Sequence, residues 1–265
     1  MLKKAYDYLK DTFGDFVPDT AIILGSGLGG LIKNIEQPIK IPYQDVPGFP
    51  VTSVVGHEGS FYAGKLGKHN ILCLQGRFHF YEGIDPILID RIIKMLRDLG
   101  IKQMIVTNAA GSLRTSLPTG SLMMIRDHIN FSGINPLIGL HEEPYFTDMS
   151  NAYDFEMRKQ FLEIAAQENV TIPEGVYMMV LGPNYETKSE VRLFQSFGAD
   201  AVGMSTVSEV LSAVHKGIKI LGISVISNLC TGISDKEQNH NDVLRQVEKS
   251  SVLLGKLLTK YLERY

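Results

Sequence analysis

Apolar residues in this chain gather in short runs of two kinds, and each kind predicts a different element. Residues 21–24 form an unbroken run that stops at a glycine loop, Gly25-Ser26-Gly27-Leu28-Gly29-Gly30. A run so short, with no polar alternation, predicts a strand buried on both faces. Residues 51–55, 60–66 and 69–75 predict three more strands, parted by the turns His57-Glu58-Gly59 and Leu66-Gly67-Lys68. The period changes at residue 85, where Leu88, Ile92, Met95, Leu96 and Leu99 recur at helical spacing. Asp85 is the expected N-cap, Pro86 opens the helix and Gly100 closes it. A shorter amphipathic helix is predicted over 5–15. Strands follow at 104–107, running into Asn108-Ala109-Ala110-Gly111, and at 122–125. Residues 128–151, with several Gly and Pro, predict a long surface loop. Beyond it the pattern reads helix 154–168, strand 176–181, helix 187–197, strand 200–204, helix 206–216, strand 219–226 and a last helix over 241–263. No linker, repeat or low-complexity tract divides the chain. The expectation is α/β: a single domain over 1–265, with a central mixed β-sheet flanked by helices on both faces.

Composition narrows the partners. Hydrophobic residues make up 44% and charged residues 21%, as in an ordinary globular protein. A net charge of −3 argues against a nucleic-acid partner, although a few local donors suffice to hold a small anion. Cys73 and Cys230 each sit in an apolar run, which predicts buried free thiols. Two distant cysteines are too few for a metal site. The first residues lack the apolar core of a signal peptide, and no stretch nears the ~18 apolar residues of a membrane span. The expectation is a cytoplasmic protein with no membrane partner.

Several groups of residues carry candidate chemistry. Gly25, Gly27 and Gly30 match G-x-G-x-x-G after a strand. That pattern fits a dinucleotide turn, a phosphate cradle of backbone N–H groups with the Ser26 hydroxyl, or a plain tight turn. The dinucleotide reading asks for a helix straight after the loop and an acid at the end of the next strand. Here Pro38, Pro42, Pro47 and Pro50 crowd the sequel, and Asp45 falls in a predicted loop. In Gly76-Arg77-Phe78-His79-Phe80-Tyr81-Glu82-Gly83, an extended backbone puts Arg77, His79 and Tyr81 on one face. That face is an anion site, since Arg forks onto phosphate oxygens, or the solvated side of an edge strand. Thr187-x-x-Glu190 and Thr206-x-x-Glu209 read as two capping boxes at strand-to-helix junctions. Glu186 and Ser205 precede them, either as ligand groups or as helix and loop residues. Asn228 ends a buried strand and offers a donor and an acceptor to a heterocycle, or forms a turn. His240 caps the last helix or meets a ligand hydroxyl.

Taken together and in order, GSGLGG, VVGHEG, GRFHFYEG, VTNAAGSL, GPNYET, GADAVGMSTVSE, SN and NHNDV resemble the trimeric class of purine nucleoside phosphorylases. The resemblance runs from about Ala21 to the last helix. It implies phosphorolysis of 6-oxopurine (deoxy)ribonucleosides such as inosine and guanosine, with phosphate as a substrate and no metal or organic cofactor. It implies that Ser26, His57, Arg77, His79, Ser205 and the backbone of Ala109 surround phosphate. Tyr81, Met204 and His240 would meet the ribose. Tyr185, Glu186, Val202, Gly203 and Asn228 would form the base pocket. His79, Glu186 and Asn228 would carry catalysis, with Glu82 orienting His79. Asn at 228 goes with 6-oxopurines in this family, where related methylthioadenosine phosphorylases carry Asp. A homotrimer is implied, with Tyr145 or Phe146 closing a neighbouring site. Departures are Ser227 in place of Thr, Tyr185 in place of Phe, and a segment 140–148 shorter than in animal relatives. The alternatives are a xanthosine-accepting phosphorylase, a hydrolase on the same scaffold, and a noncatalytic nucleoside-binding protein.

Overall fold

The computed structural model describes residues 2–52, 58–234 and 240–265. At its centre strand β1 (Thr20–Ile23) lies between β4 (His69–Gln75) and β5 (Gln103–Ser112), parallel to both. Side chains alternate across a strand. Ala21 and Ile23 therefore enter one apolar layer with Leu72, Leu74, Met104 and Val106. Ile22 enters the other with Ile71, Cys73 and Ile105. Burial on both faces is why these segments read as unbroken apolar runs. The first layer is covered by α1 (Lys3–Phe13), α2 (Pro86–Asp98) and α5 (Val207–His215). The second is covered by α3 (Phe155–Gln167) and α6 (His240–Arg264). Helix α2 starts as its sequence predicts, with Asp85 Oδ1 accepting from the Ile87 N–H at 3.0 Å.

The other strands are β2 (Glu36–Pro42), β3 (Ser60–Leu66), β6 (Leu122–Asn130), β7 (Glu174–Met179), β8 (Ala201–Gly203) and β9 (Lys219–Leu229), and α4 (Lys188–Ser196) joins β7 to β8. The sheet runs β2-β3-β4-β1-β5-β8-β7-β6-β9. Strand β9 also pairs in parallel with β5, from Gln103↔Lys219 to Ser112↔Leu229. The half of the sheet from β5 through β8, β7, β6 and β9 thus closes on itself, a closure that the sequence pattern does not indicate.

Several boundaries differ from the sequence reading. The proline-rich segment after the glycine loop contains β2, a strand at the sheet edge whose residues 36–40 are exposed. Pro38 and Pro42 are tolerated there because an edge leaves backbone N–H positions unpaired. Strand β5 runs on through Asn108-Ala109-Ala110-Gly111, and β6 runs on to Asn130. Irregular chain occupies 131–154, slightly later than expected. Of the predicted strand 51–55, residues 51 and 52 have no regular structure and the rest lie outside the described residues.

Candidate active site

Strands β4, β1, β5 and β9 are mutually parallel, and their C-terminal ends open into a cleft. The chain leaves β1 through a tight turn. The Leu28 N–H donates to Gly25 O at 3.2 Å, and Gly27 takes a φ of +76°, a left-handed value that suits glycine. Gly25 lies directly against β5. Its N–H donates to Thr107 Oγ1 at 3.1 Å, and a Cβ there would sit 2.8 Å from Asn108 Cα. Ser26 reaches the cleft wall. The loop leads into a 3₁₀ turn, Gly29–Asn34, and Asp45 sits in a second one, Tyr43–Asp45. A dinucleotide site needs an α-helix N-terminus and an acid at a strand end; this loop has neither.

The segment after β4 also departs from the sequence reading. Arg77, His79 and Tyr81 all line the cleft, but not by strand alternation. His79 begins a 3₁₀ turn, Phe80–Glu82, and Glu82 curls back to it. Glu82 Oε1 accepts from the His79 backbone N–H at 2.9 Å and lies 3.2 Å from Nδ1. Phe78 is buried among Tyr43, Phe49 and Phe61, which anchors the turn. The Tyr81 ring stacks on His79 with centroids 4.7 Å apart. Burial, and then the charge of Arg77, push the His79 pKa below its ordinary value, against an opposing pull from Glu82. Glu82 at Nδ1 fixes the ring's orientation, and an anion bound beside the ring favours the protonated form, which donates from both nitrogens.

Arg77 is 2% exposed. Its Nε donates to Glu209 Oε1 at 2.7 Å, and Nη1 donates to Thr107 O at 2.9 Å and Ser205 Oγ at 3.0 Å. Its Nη2 is buried with no hydrogen-bond partner among the described residues. A buried cationic donor left in that state calls for an anion.

The two strand-to-helix junctions differ. Before α4 the capping box forms as predicted: Thr187 Oγ1 accepts from Glu190 N at 3.2 Å, and Glu190 Oε2 accepts from Thr187 N at 2.7 Å. Glu190 therefore caps the helix and leaves Glu186 to the cleft. Burial raises the Glu186 pKa, opposed by a backbone hydrogen bond and reinforced by Glu190. Before α5 the predicted box is absent. Thr206 has a φ of +83° and no capping bond, and its Oγ1 accepts from Asn108 Nδ2 at 2.9 Å. Glu209 has turned to Arg77 instead, because a charge-assisted bond to a buried cation outweighs a cap.

Asn228 lies within β9 and not in a turn, beside a register shift in the pairing with Ala110 and Gly111 of β5. Its Oδ1 is 2.7 Å from Ser227 Oγ. Tyr185, Val202, Gly203, Met204, Ser205 and Ala109 complete the lining. His57 lies outside the described residues. His240 opens α6, and its side chain too is outside what the structure describes.

A model of the phosphorylase superfamily matches residues 19–263. Purine nucleoside phosphorylase 1 of Bacillus subtilis is 43% identical over 267 aligned residues, covering 100% of this chain and 98% of the relative. The chain belongs to the purine nucleoside phosphorylase family. Among solved structures, the Schistosoma mansoni purine nucleoside phosphorylase in complex with adenosine superposes with a TM-score of 0.93 at 35% identity, covering 99% of this chain and 96% of that one. The same enzyme in complex with inosine gives a TM-score of 0.92 at 36% identity, covering 100% and 96%. Both the fold class and the family expected from the motifs hold.

Seen as a phosphorylase-family cleft, the lining includes residues to which the motif reading assigns no role: Ala110, Gly111, Ser227 and Val243. The first three flank residues it does name, so the length of β5 and β9 is the missing signal. Val243 comes one helical turn after His240 and looks like any apolar helix residue. Among the described residues no group of three or more His, Cys, Asp or Glu is placed to hold a metal, and no helix is long and apolar enough to cross a membrane.

Proposed function

We propose that this chain catalyses the reversible phosphorolysis of 6-oxopurine nucleosides such as inosine and guanosine, giving the free base and (deoxy)ribose 1-phosphate. The observation that carries this reading is one cleft lined by two chemically distinct sets of residues. Arg77 with its uncommitted Nη2, His79, Ser26 and Ser205 make up one set, and Tyr185, Glu186 and Asn228 the other. The first set suits a tetrahedral dianion. The second suits a flat heterocycle with donors and acceptors on its rim.

In this mechanism phosphate is held by Arg77, His79, Ser26, Ser205 and the backbone at Ala109, close to C1′ of the sugar. His57 belongs to the same group by resemblance. Holding the nucleophile in line replaces a second-order encounter by positioning. As the bond to the base lengthens, positive charge grows on the ribose, and the phosphate dianion offsets it. Negative charge grows on the purine. Asn228 meets it at N7, while Glu186 accepts from N1–H. One donor aimed at developing charge is worth about 3–4 kcal/mol. Tyr81, Met204 and His240 bound the ribose, and Val202 and Gly203 flank the base. The C1′–N9 bond breaks, the phosphate oxygen–C1′ bond forms, and a proton ends on the released base. The reaction balances with nucleoside and inorganic phosphate alone.

The assembly we propose is a homotrimer with the cleft near the subunit interface, in the cytoplasm. Tyr145 at 64% and Phe146 at 87% exposure form an edge-to-face pair on the long irregular segment, and either ring suits closure of a neighbouring ribose site. The deciding experiment follows inosine, guanosine and xanthosine with and without inorganic phosphate. Ribose 1-phosphate formed only with phosphate supports the proposal. Phosphate-independent cleavage makes the protein a hydrolase, and no cleavage makes it a binding protein.

A further inference from the structure

A guanidinium has five N–H donors locked in one plane. In Arg77 three are committed: Nε–H to Glu209, and both Nη1–H bonds to Thr107 O and Ser205 Oγ. The two that remain are both on Nη2, buried and without a partner among the described residues. Because the group is planar, the directions fixed at Nε and Nη1 also fix Nη2. Arg77 and Ser205 both line the cleft, and Nη1 is bonded to the Ser205 hydroxyl.

Of the three anchors, the Thr107 carbonyl belongs to strand β5, and Ser205 is itself a cleft residue. Glu209 is the only charged one, and its side chain is 7% exposed against 2% for Arg77. It stands in the first turn of α5, where the helix N-terminus favours a carboxylate. The local sequence offers it a capping role. The positive φ of Thr206 removes that role, and the side chain is available to cross to the segment after β4.

We infer that Glu209 is a positioning residue for phosphate: by anchoring Nε it orients Arg77 so that Nη2 is presented to the anion. The inference rests on the reading of Arg77 as a phosphate ligand. It also carries a sign that simple charge counting does not. Glu209 adds negative charge near an anion site, so on charge alone its removal strengthens phosphate binding. As an anchor, its removal weakens it.

The test compares steady-state kinetics of Glu209→Ala, Glu209→Gln and Glu209→Asp with the parent enzyme, varying phosphate and inosine separately. Loss of the anchor in E209A raises the phosphate KM by about tenfold or more and leaves the inosine KM within about twofold. E209Q keeps an acceptor at the same reach and recovers most of that loss. E209D keeps the charge but withdraws the carboxylate, and shows the same one-sided rise as E209A; it carries the test if E209A does not fold. An unchanged or lowered phosphate KM overturns the inference. So does an equal rise in both KM values, an E209Q as impaired as E209A, or loss of folding in both E209A and E209D, each of which makes Glu209 a structural residue. Arg77→Lys separates the two levels. If R77K leaves the phosphate KM unchanged, the reading of the site fails; if R77K raises it and E209A does not, only the role of Glu209 fails.

Discussion

Two side chains that the proposed reading assigns to the base make separable predictions. Asn228 presents an amide whose Oδ1 is close to the Ser227 hydroxyl, and that contact limits its rotation. Asn228→Asp replaces a donor by a charge at the position where the base becomes anionic. The kcat/KM for inosine is expected to fall about 10–100-fold, and the ratio of adenosine to inosine turnover to rise. The Schistosoma relative holds either adenosine or inosine in its crystals. Because crystals of that relative take up either nucleoside, turnover is the quantity to measure here. Glu186 is held above its ordinary pKa of 4.5, chiefly by burial. It must be ionised to accept from N1–H, and a raised pKa means the ionised form is lost earlier as pH falls. The kcat/KM for inosine should decline on the acid side with an inflection above 4.5, and Glu186→Gln should abolish that inflection. For stability the sign is opposite. A carboxylate with a raised folded pKa opposes folding at neutral pH, so E186Q should melt no lower than the parent while binding inosine more weakly. A calorimetric scan of the ligand-free protein checks this.

At the scale of elements, the site depends on where strands stop and how the chain leaves them. Gly25 is the tightest point, since an added Cβ meets backbone atoms of Thr107 and Asn108 that cannot swing aside. Gly25→Ala should lower stability by about 1–3 kcal/mol and raise the phosphate KM, because the loop carrying Ser26 must lift off β5. Asp85→Ala is the contrasting case. It removes the N-cap of α2, away from the cleft, and should cost about 1 kcal/mol with kcat unchanged; a denaturation midpoint and a steady-state assay read the two effects. Legibility in the sequence divides along similar lines. The central strands, helix α2 and the Thr187–Glu190 box follow from local pattern and capping chemistry. The edge strand β2 does not, because its residues 36–40 face solvent and two prolines interrupt it. The second capping box fails to form because Glu209 answers to a buried cation 132 positions away in sequence, and no local rule carries that information. The turn at Phe80–Glu82 is hidden for a similar reason: His79, Phe80 and Tyr81 alternate like a strand, while Glu82 bends the backbone to cap His79.

For the whole molecule, the long irregular segment 131–154 leaves Ile138 at 76%, Tyr145 at 64% and Phe146 at 87% exposure. Exposed apolar residues grouped in this way need a partner surface. Sedimentation equilibrium is expected to give three copies at micromolar concentration, and a monomer with full activity would contradict the proposed assembly. Phe146→Ala and Tyr145→Ala, measured singly, should show which ring serves the ribose end, by a rise in inosine KM at constant phosphate KM. The cleft itself rests partly on paired strands. Ala109, Ala110 and Gly111 sit on β5, and Ser227 and Asn228 on β9, joined by a parallel ladder that runs the length of both strands. On the proposed reading, one group for each end of the scissile bond, the Ala109 backbone and Asn228, thus rides on a single paired ladder. That pairing sets a gauge between nucleophile and leaving group. Acceptance of a new base by this scaffold would come through side-chain exchange at the rim, while a substrate with a longer reach between sugar and base would find the gauge the wrong length.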